Sequence, residues 1–177
     1  MSARKSVGSV YLDSSAFIPL LETTHALHSK AVAYIKATGA LPSIDAVVLS
    51  EVLAGCDPSI NRDELSEKYT KQFRVPSFDA RAARVCSELF RILKTAGQIP
   101  SKKQERQITK ADLMILATVM TNRASEFVFE DKHFAQYPSY LSGDICGFVL
   151  PKFTRLSELP DVMIQTEIPG LAEDKVI

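Results

Sequence analysis

The chain has 177 residues, of which 46% are hydrophobic and 24% charged, and its 21 basic side chains balance its 21 acidic ones. These values are ordinary for a globular protein of one domain, which at this length can bury a core without disulfides or a structural metal. No apolar run reaches the roughly 18 residues that a membrane span needs, and Asp13 interrupts the apolar stretch that a secretory signal would require.

The first half of the chain alternates short apolar runs with helical patterns. A strand ends at Asp13, where Asp or Ser can cap the next helix, and Gly39 and Gly55 each end a helix. Asp45 is expected to cap the helix between them. The predicted elements are a strand at 7–12, helices at 16–22 and 25–38, a strand at 40–44 and a helix at 46–54.

The second half continues the alternation. The longest predicted helix starts after Asp79 and carries an apolar stripe of Cys86, Leu89, Phe90 and Leu93. A capping box at 109–112 is expected to start the following helix. The elements are helices at 61–73 and 80–95, a strand-like stretch at 74–78, a loop at 98–108, a helix at 109–122, a strand at 126–129, a loop or broken helix at 131–142 and a strand at 147–150.

This alternation predicts a three-layer α/β/α fold with a short, mostly parallel sheet. We expect residues 1–153 to form one domain. Residues 154–177 are then a C-terminal extension, in which 161–165 could add an edge strand or a subunit contact. The apolar stripe on the helix at 80–95 needs a cover, either the core of the same domain or the partner in a homodimer.

Four acidic residues lie beside apolar runs, where an ionised carboxylate costs several kcal/mol, roughly, unless something neutralises it. They are Asp13, Glu51, Asp112 and Asp131. Two of them follow predicted strands, and two lie in the first two turns of predicted helices. Ligands of parallel sheets gather beyond the carboxyl ends of the strands, so all four can face one crevice. The simplest shared partner is a divalent cation.

Hard carboxylate oxygens suit Mg²⁺ or Mn²⁺, and the chain has no His/Cys cluster of the kind that zinc prefers. Several carboxylates around one or two such ions form the arrangement that hydrolyses phosphodiesters. In the absence of the cation, the like charges should raise at least one carboxyl pKa.

Each acid also has a simpler interpretation. Asp13 could only cap a helix, Glu51 could lie on a solvated helix face, Asp112 could belong to the capping box, and Asp131 could be a turn residue. The simpler interpretations require four independent coincidences, so we favour the joint site.

The segments that contain these acids resemble, in order and spacing, the acidic motifs of PIN-domain ribonucleases, and most closely those of the VapC-like toxins of toxin–antitoxin pairs. The resemblance covers about residues 7–150. The segments are YLDSSAFI (11–18), LSEVLAG (49–55), TKADLMILAT (109–118) and VFEDKHF (128–134).

The resemblance implies a Mg²⁺- or Mn²⁺-dependent endoribonuclease whose metal ligands and catalytic acids are Asp13, Glu51, Asp112 and Asp131. Ser15 matches the small polar position after the first acid, where it could orient a ligand or the substrate or simply cap the helix. An antitoxin protein and a homodimer are the partners that the resemblance suggests.

The chain departs from the family pattern around the fourth acid. Phe129 stands where a Thr is common, and His133 stands where another acid is common. The lost hydroxyl could weaken a second metal position, and His133 is expected to be a surface or hydrogen-bonding residue rather than a ligand. Glu130 adds an acid, but strand alternation should point it away from Asp131.

A basic segment at 102–110 offers contacts to RNA phosphates, although a solvated loop or helix end explains it equally well. Its candidate substrate-binding residues are Lys102, Lys103, Arg106 and Lys110. With zero net charge, recognition of a structured RNA such as tRNA by its shape stays open.

Two other functions compete with the nuclease. A non-catalytic PIN-like module would bind RNA or a protein, but such modules usually lack one or more of the acids. A phosphohydrolase acting on small phosphate esters is disfavoured by the absence of a Gly-rich phosphate loop. The three widely spaced cysteines, Cys56, Cys86 and Cys146, indicate reduced thiols and a cytoplasmic location, with at least two packed as small apolar groups.

Overall fold

The computed structural model describes residues 9–39 and 41–160. Within these residues the strands are β1 (Val10–Leu12), β2 (Ser43–Ile44), β3 (Glu126–Phe129), β4 (Asp144–Ile145), β5 (Phe148–Val149) and β6 (Lys152–Arg155). A parallel sheet has the order β2-β1-β3-β6, and β4 pairs with β5 in an antiparallel hairpin. Leu12 of β1 lies opposite Ile44 and Val128, so the strands that precede Asp13, Asp45 and Glu130 end near the same edge of the sheet.

The helices in the described residues are α1 (Ser14–Leu21), α2 (His28–Thr38), α3 (Ala46–Gly55), α4 (Arg62–Gln72), α5 (Ala80–Thr95), α6 (Lys103–Thr121) and α7 (Lys132–Gln136). They pack on both faces of the sheet, and the three-layer α/β/α fold predicted from the sequence is confirmed. None of these helices combines the length and the apolar character that a membrane span requires.

Acidic residues cap the helices that follow β1 and β2, as predicted. The carboxylate of Asp13 accepts a hydrogen bond from the N–H of Ser15 at 3.0 Å, and that of Asp45 accepts one from the N–H of Val47 at 2.6 Å. Such caps satisfy amide groups that have no partner inside the helix. They fix where each helix leaves the sheet edge and thereby orient the side chains of its first turns.

The predicted capping box at 109–112 is wrong. Helix α6 begins six residues earlier, at Lys103, and the Thr109 hydroxyl donates to the carbonyl of Glu105 at 3.0 Å, as a Thr inside a helix does. The run from 103 to 107 consists of good helix formers, and Glu105 in the first turn suits the positive end of the helix dipole. Asp112 therefore lies in the middle of a long helix rather than in its first turn.

The sheet differs from expectation at two places. The stretch at 74–78 contributes one isolated bridge, between Arg74 and Ser43, instead of a strand. The last strand of the parallel sheet is β6, whereas the predicted strand at 147–150 coincides with β5 of the hairpin. Strand β6 runs across residue 153, where we placed the domain boundary, and the possible added strand at 161–165 lies outside the described residues.

The apolar stripe of α5 is largely covered by its own domain. Leu89 is 0% exposed and Leu93 is 1% exposed, while Cys86 and Phe90 are partly buried against the same core. The stripe therefore gives no support to a homodimer, which stays a prediction. All three cysteines are free, and Cys86 and Cys146 pack against the core as predicted.

Candidate active site

Asp13 stands at the carboxyl end of β1 and is 3% exposed. Its Oδ2 accepts two hydrogen bonds from Ser15, from the backbone N–H at 3.0 Å and from the hydroxyl at 2.6 Å. Burial raises the pKa of this carboxyl above its ordinary value, and the charge of Glu51 adds to the rise. The hydrogen bonds from Ser15 oppose the shift because they favour the ionised form.

The Ser15 hydroxyl connects two acidic segments of the site. While it donates to Asp13, its oxygen accepts hydrogen bonds from the N–H groups of Glu130 at 2.9 Å and Asp131 at 3.0 Å. One donor and two acceptor positions are all that a hydroxyl offers. Ser15 therefore holds the chain after β3 against the start of α1, and its predicted role in binding substrate stays a prediction.

Asp112 points from the middle of α6 toward the other acids. Its pKa is raised to about 7, chiefly by burial, and the charges of Asp13, Asp131 and Glu51 raise it further. The phenol of Tyr137 donates a 2.9 Å hydrogen bond to Asp112 Oδ2, which lowers the pKa in part. The electrostatic influence of all three acids on one carboxyl shows that the fold brings the four predicted residues into one region.

Glu51 and Asp131 form the exposed side of this region. Glu51 lies in the middle of α3, and Asp131 precedes α7, where its Oδ1 caps the helix by accepting from the N–H of His133 at 2.8 Å. The side chain of His133 is exposed, as expected. The region thus combines the buried Asp13 and the partly buried Asp112 with a solvent-facing rim formed by Glu51 and Asp131.

Glu130 is turned away from the other acids, as strand alternation predicts. Its carboxylate accepts hydrogen bonds from Arg155 Nε at 3.1 Å and from the N–H and hydroxyl of Ser157, both at 2.8 Å. Glu130 is therefore neutralised at the end of β6 and adds no charge to the candidate site.

The four acids have no ion-pair partner among the residues that the structure describes. Across the described residues, none of Asp13, Glu51, Asp112 and Asp131 forms an ion pair with Lys, Arg or His. In the same residues, no three acids, histidines or cysteines are spaced as a ready-made metal-holding group. The donor chemistry and the lack of ion-pair partners in the described residues fit a hard divalent cation.

Tyr137 is a site residue that sequence reasoning missed. It follows α7 in a 3-10 helix (Tyr137–Ser139) and is 7% exposed, with its ring 5.6 Å from that of Phe134, centroid to centroid. Phe134 in turn packs edge-on against Phe127 of β3 at 4.9 Å. This aromatic stack fixes the position of the phenol beside Asp112. The pattern of aromatic residues at 134 and 137 was visible, but nothing local indicated a carboxylate 25 residues away.

Three of the four basic candidate residues lie on a different side of α6 from Asp112. Lys102 precedes α6 and pairs with Glu105 at 3.1 Å. At about 100° of rotation per helical residue, Lys103, Arg106 and Lys110 project about 120–180° around the axis from Asp112. These three residues lie instead beside Phe90 of α5. Their role in binding substrate stays a prediction.

The fold and the acidic motifs define the class of protein. The sequence profile of the PIN domain matches residues 10–139, and the chain belongs to the PIN domain family. The family resemblance inferred from the four acidic segments is thereby confirmed. No curated protein sequence matches the chain.

Several solved structures share the fold. FitAcB from Neisseria gonorrhoeae is 16% identical with a TM-score of 0.59, and the match covers 85% of this chain and 99% of that one. VapBC2 from Rickettsia felis, bound to a DNA fragment from its promoter, is 14% identical with a TM-score of 0.55 over 82% of this chain and 97% of that one. DNA-bound VapBC from Salmonella typhimurium is 14% identical with a TM-score of 0.55, covering 84% and 98%. At sequence identities of 14–16%, these matches show a shared fold.

Proposed function

We propose that the protein is a Mg²⁺- or Mn²⁺-dependent endoribonuclease that hydrolyses RNA phosphodiester bonds. The observation that carries the proposal is the gathering of four acids around Asp13, which is 3% exposed, none of which has an ion-pair partner in the described residues. Such a cluster is costly unless protons or a cation neutralise it. Neutralisation by a cation is favoured over protonation for two reasons. The chain belongs to the PIN domain family, and carboxylate oxygens are hard donors that suit divalent cations.

Asp13, which is buried, and Asp112, which is partly buried, would hold the metal, and the exposed Glu51 and Asp131 would complete its coordination. When bound, the ion supplies an activated water and stabilises the charge that develops on the phosphate. Ser15 keeps Asp13 and the segment before α7 in register, and Tyr137 fixes one oxygen of Asp112. Basic residues of the N-terminal turns of α6 would bind the RNA backbone.

The protein would act as the toxin of a toxin–antitoxin pair. The four motifs are most similar to those of VapC-like toxins, and the VapBC and FitAcB structures share the fold. An antitoxin protein is therefore its expected partner, and a homodimer is its expected assembly. Free cysteines support a cytoplasmic location. Mapping the cleavage sites in cellular RNA would identify the substrate and show whether it is a structured RNA such as tRNA.

The test is cleavage of total cellular RNA by purified wild-type and Asp112→Asn protein, with and without EDTA. The amide preserves the shape and can still accept from Tyr137, but it removes the charge that retains the cation. We expect Mg²⁺- or Mn²⁺-dependent cleavage that EDTA abolishes and that the variant loses by orders of magnitude. Cleavage by both proteins alike, or cleavage insensitive to EDTA, rejects the proposal.

A non-catalytic PIN-like module that binds RNA or a protein is the second candidate. It is favoured by one observation, the lack of a preformed group of three metal ligands in the described residues. Calorimetry with Mn²⁺ separates the two functions. Absence of Mn²⁺ binding, together with RNA binding that is unchanged by EDTA, would favour the module.

A further inference from the structure

A groove between α5 and α6 carries positive charge that acidic side chains leave unbalanced. Lys103, Arg106, Gln107 and Lys110 of α6, together with Phe90 of α5, line a depression of about 320 Å³, called the α5/α6 groove below. The three cations are exposed, and none of them forms an ion pair with an acid in the part of the chain that the structure describes. On a protein of zero net charge, this local excess favours an anionic occupant.

Helical spacing explains why these cations form one surface. Lys103, Arg106 and Lys110 are three and four residues apart, so they lie on one face of α6 and extend over about 10 Å of its length. The same arithmetic places Asp112 on the opposite face. The α5/α6 groove is therefore separate from the acidic crevice, and its charge does not neutralise the acids there.

An aromatic side chain gives the groove a second kind of contact. Phe90 is half-buried, and the Nζ of Lys110 lies 6.0 Å from the centroid of its ring. The neighbouring Leu89 and Leu93 are buried in the core and anchor this part of α5. Phe90 therefore presents a fixed apolar surface between cations.

We propose that the α5/α6 groove binds a single-stranded segment of RNA, with the cations on phosphates and Phe90 against a base. Cationic grooves with aromatic platforms suit single strands because every base has a stacking face, and Arg stacks as well. An acidic peptide would use the cations but leave the aromatic surface unmatched. The identity of the nucleic acid rests on the proposed function, whereas the groove itself would hold RNA away from the cleavage site.

Binding is measured by fluorescence anisotropy with a labelled single-stranded oligoribonucleotide and the full chain in the non-cleaving Asp112→Asn background. Adding Lys103→Gln and Lys110→Gln should weaken binding at least tenfold at low salt. It should also make the slope of log affinity against log salt shallower by about 1.4, at roughly 0.7 per lost phosphate contact. The matched control removes two exposed lysines elsewhere, Lys36→Gln on α2 and Lys68→Gln on α4.

The aromatic contact is tested by Phe90→Leu, which keeps the apolar volume and the fold but removes the stacking face. We expect binding to weaken by about 5- to 100-fold with an unchanged salt slope. The proposal is overturned if the double-lysine variant behaves like its control, or if Phe90→Leu binds RNA as tightly as the parent. A polyglutamate peptide that binds as tightly as RNA, and that Phe90→Leu weakens equally, also overturns it.

These binding measurements do not depend on catalysis. If wild-type protein shows no metal-dependent cleavage while the groove variants lose RNA binding, the proposed nuclease activity fails and the groove stands. If cleavage depends on Asp112 while the groove variants bind RNA and cleave it normally, the proposed RNA-binding role of the groove is rejected and the proposed nuclease activity is retained.

Discussion

The phenol of Tyr137 donates a 2.9 Å hydrogen bond to Oδ2 of Asp112, joining the segment after α7 to the middle of α6. Tyr137 is 7% exposed and lies against Phe134, so the phenol cannot swing away without leaving its packing site. The bond favours the ionised carboxylate, opposing the burial and the neighbouring charges that raise the pKa of Asp112 to about 7. Tyr137 is thus a positioning residue for Asp112 in the candidate site.

Tyr137→Phe should shift the pH dependence of cleavage without unfolding the protein. With the donor lost, the pKa of Asp112 should rise above about 7, since the remaining influences of burial and of the other acids raise it. The rising limb of the pH–rate profile should therefore move to higher pH, and kcat at neutral pH should fall about tenfold. A fall in activity by the same factor at every pH from 6 to 9 would instead indicate that Tyr137 only supports the fold.

The sequence predicted elements well wherever a local signal determines them. Asp13, Asp45 and Asp79 each precede a helix and each caps it, because a short acidic side chain beside free amide groups suffices. The start of α6 was misplaced because the capping motif at 109–112 outweighed the helix-forming residues before it. Propensity summed over 103–107 would have placed the start earlier.

The sequence predicted the part of the candidate site that depends on residue type and order along the chain. The four acids follow a family pattern, and the charges of Asp13, Glu51 and Asp131 all act on Asp112. The contacts of Tyr137 with Asp112 and of Ser15 with the amides of Glu130 and Asp131 span 25, 115 and 116 residues. Such contacts depend on tertiary packing, and no local pattern in one sequence specifies them.

Asp112→Asn should stabilise the metal-free protein at high pH. The folded-state pKa of about 7 exceeds the ordinary value of 3.8, so ionisation of Asp112 destabilises the fold as the pH rises from about 4 through 7. The variant should have a Tm a few degrees above wild type at pH 8 in EDTA, and the difference should vanish near pH 4. Thermal unfolding by circular dichroism measures this shift.

The control for this stability measurement is Asp63→Asn, which changes an exposed acid in the first turn of α4. It should lower the Tm slightly or leave it unchanged at pH 8, because a negative charge in the first turn interacts favourably with the helix dipole. A lower Tm for Asp112→Asn than for wild type at pH 8 would contradict the view that the acids repel one another.

Mn²⁺ should raise the Tm of the wild-type protein. A cation that binds only the folded state stabilises it by about 2.7 kcal/mol at one hundred times its Kd, which corresponds to several degrees for a chain of this size. The rise should be larger at pH 8 than at pH 6, because the pKa of Asp112, about 7, makes protons compete with the metal at the lower pH. Asp112→Asn should show little or no rise, and an equal rise in that variant would place the metal elsewhere.

Ser15→Ala should weaken both the fold and the site. The Ser15 hydroxyl donates to Asp13 and accepts from the amides of Glu130 and Asp131, so its removal leaves those two N–H groups without this partner. Losing partners for such groups costs about 1–3 kcal/mol, and the chain before α7 should become more mobile.

Ser14→Ala, at the neighbouring half-buried position, is the matched control, and Ser15→Thr should restore much of the stability because it retains the hydroxyl. Urea unfolding measures the stability, and Mn²⁺ titration measures whether Asp131 still reaches the metal. If Ser15→Ala matched Ser14→Ala in both measurements, the hydroxyl would be no more than a surface group, and Asp13 and Asp131 would be held together by other contacts.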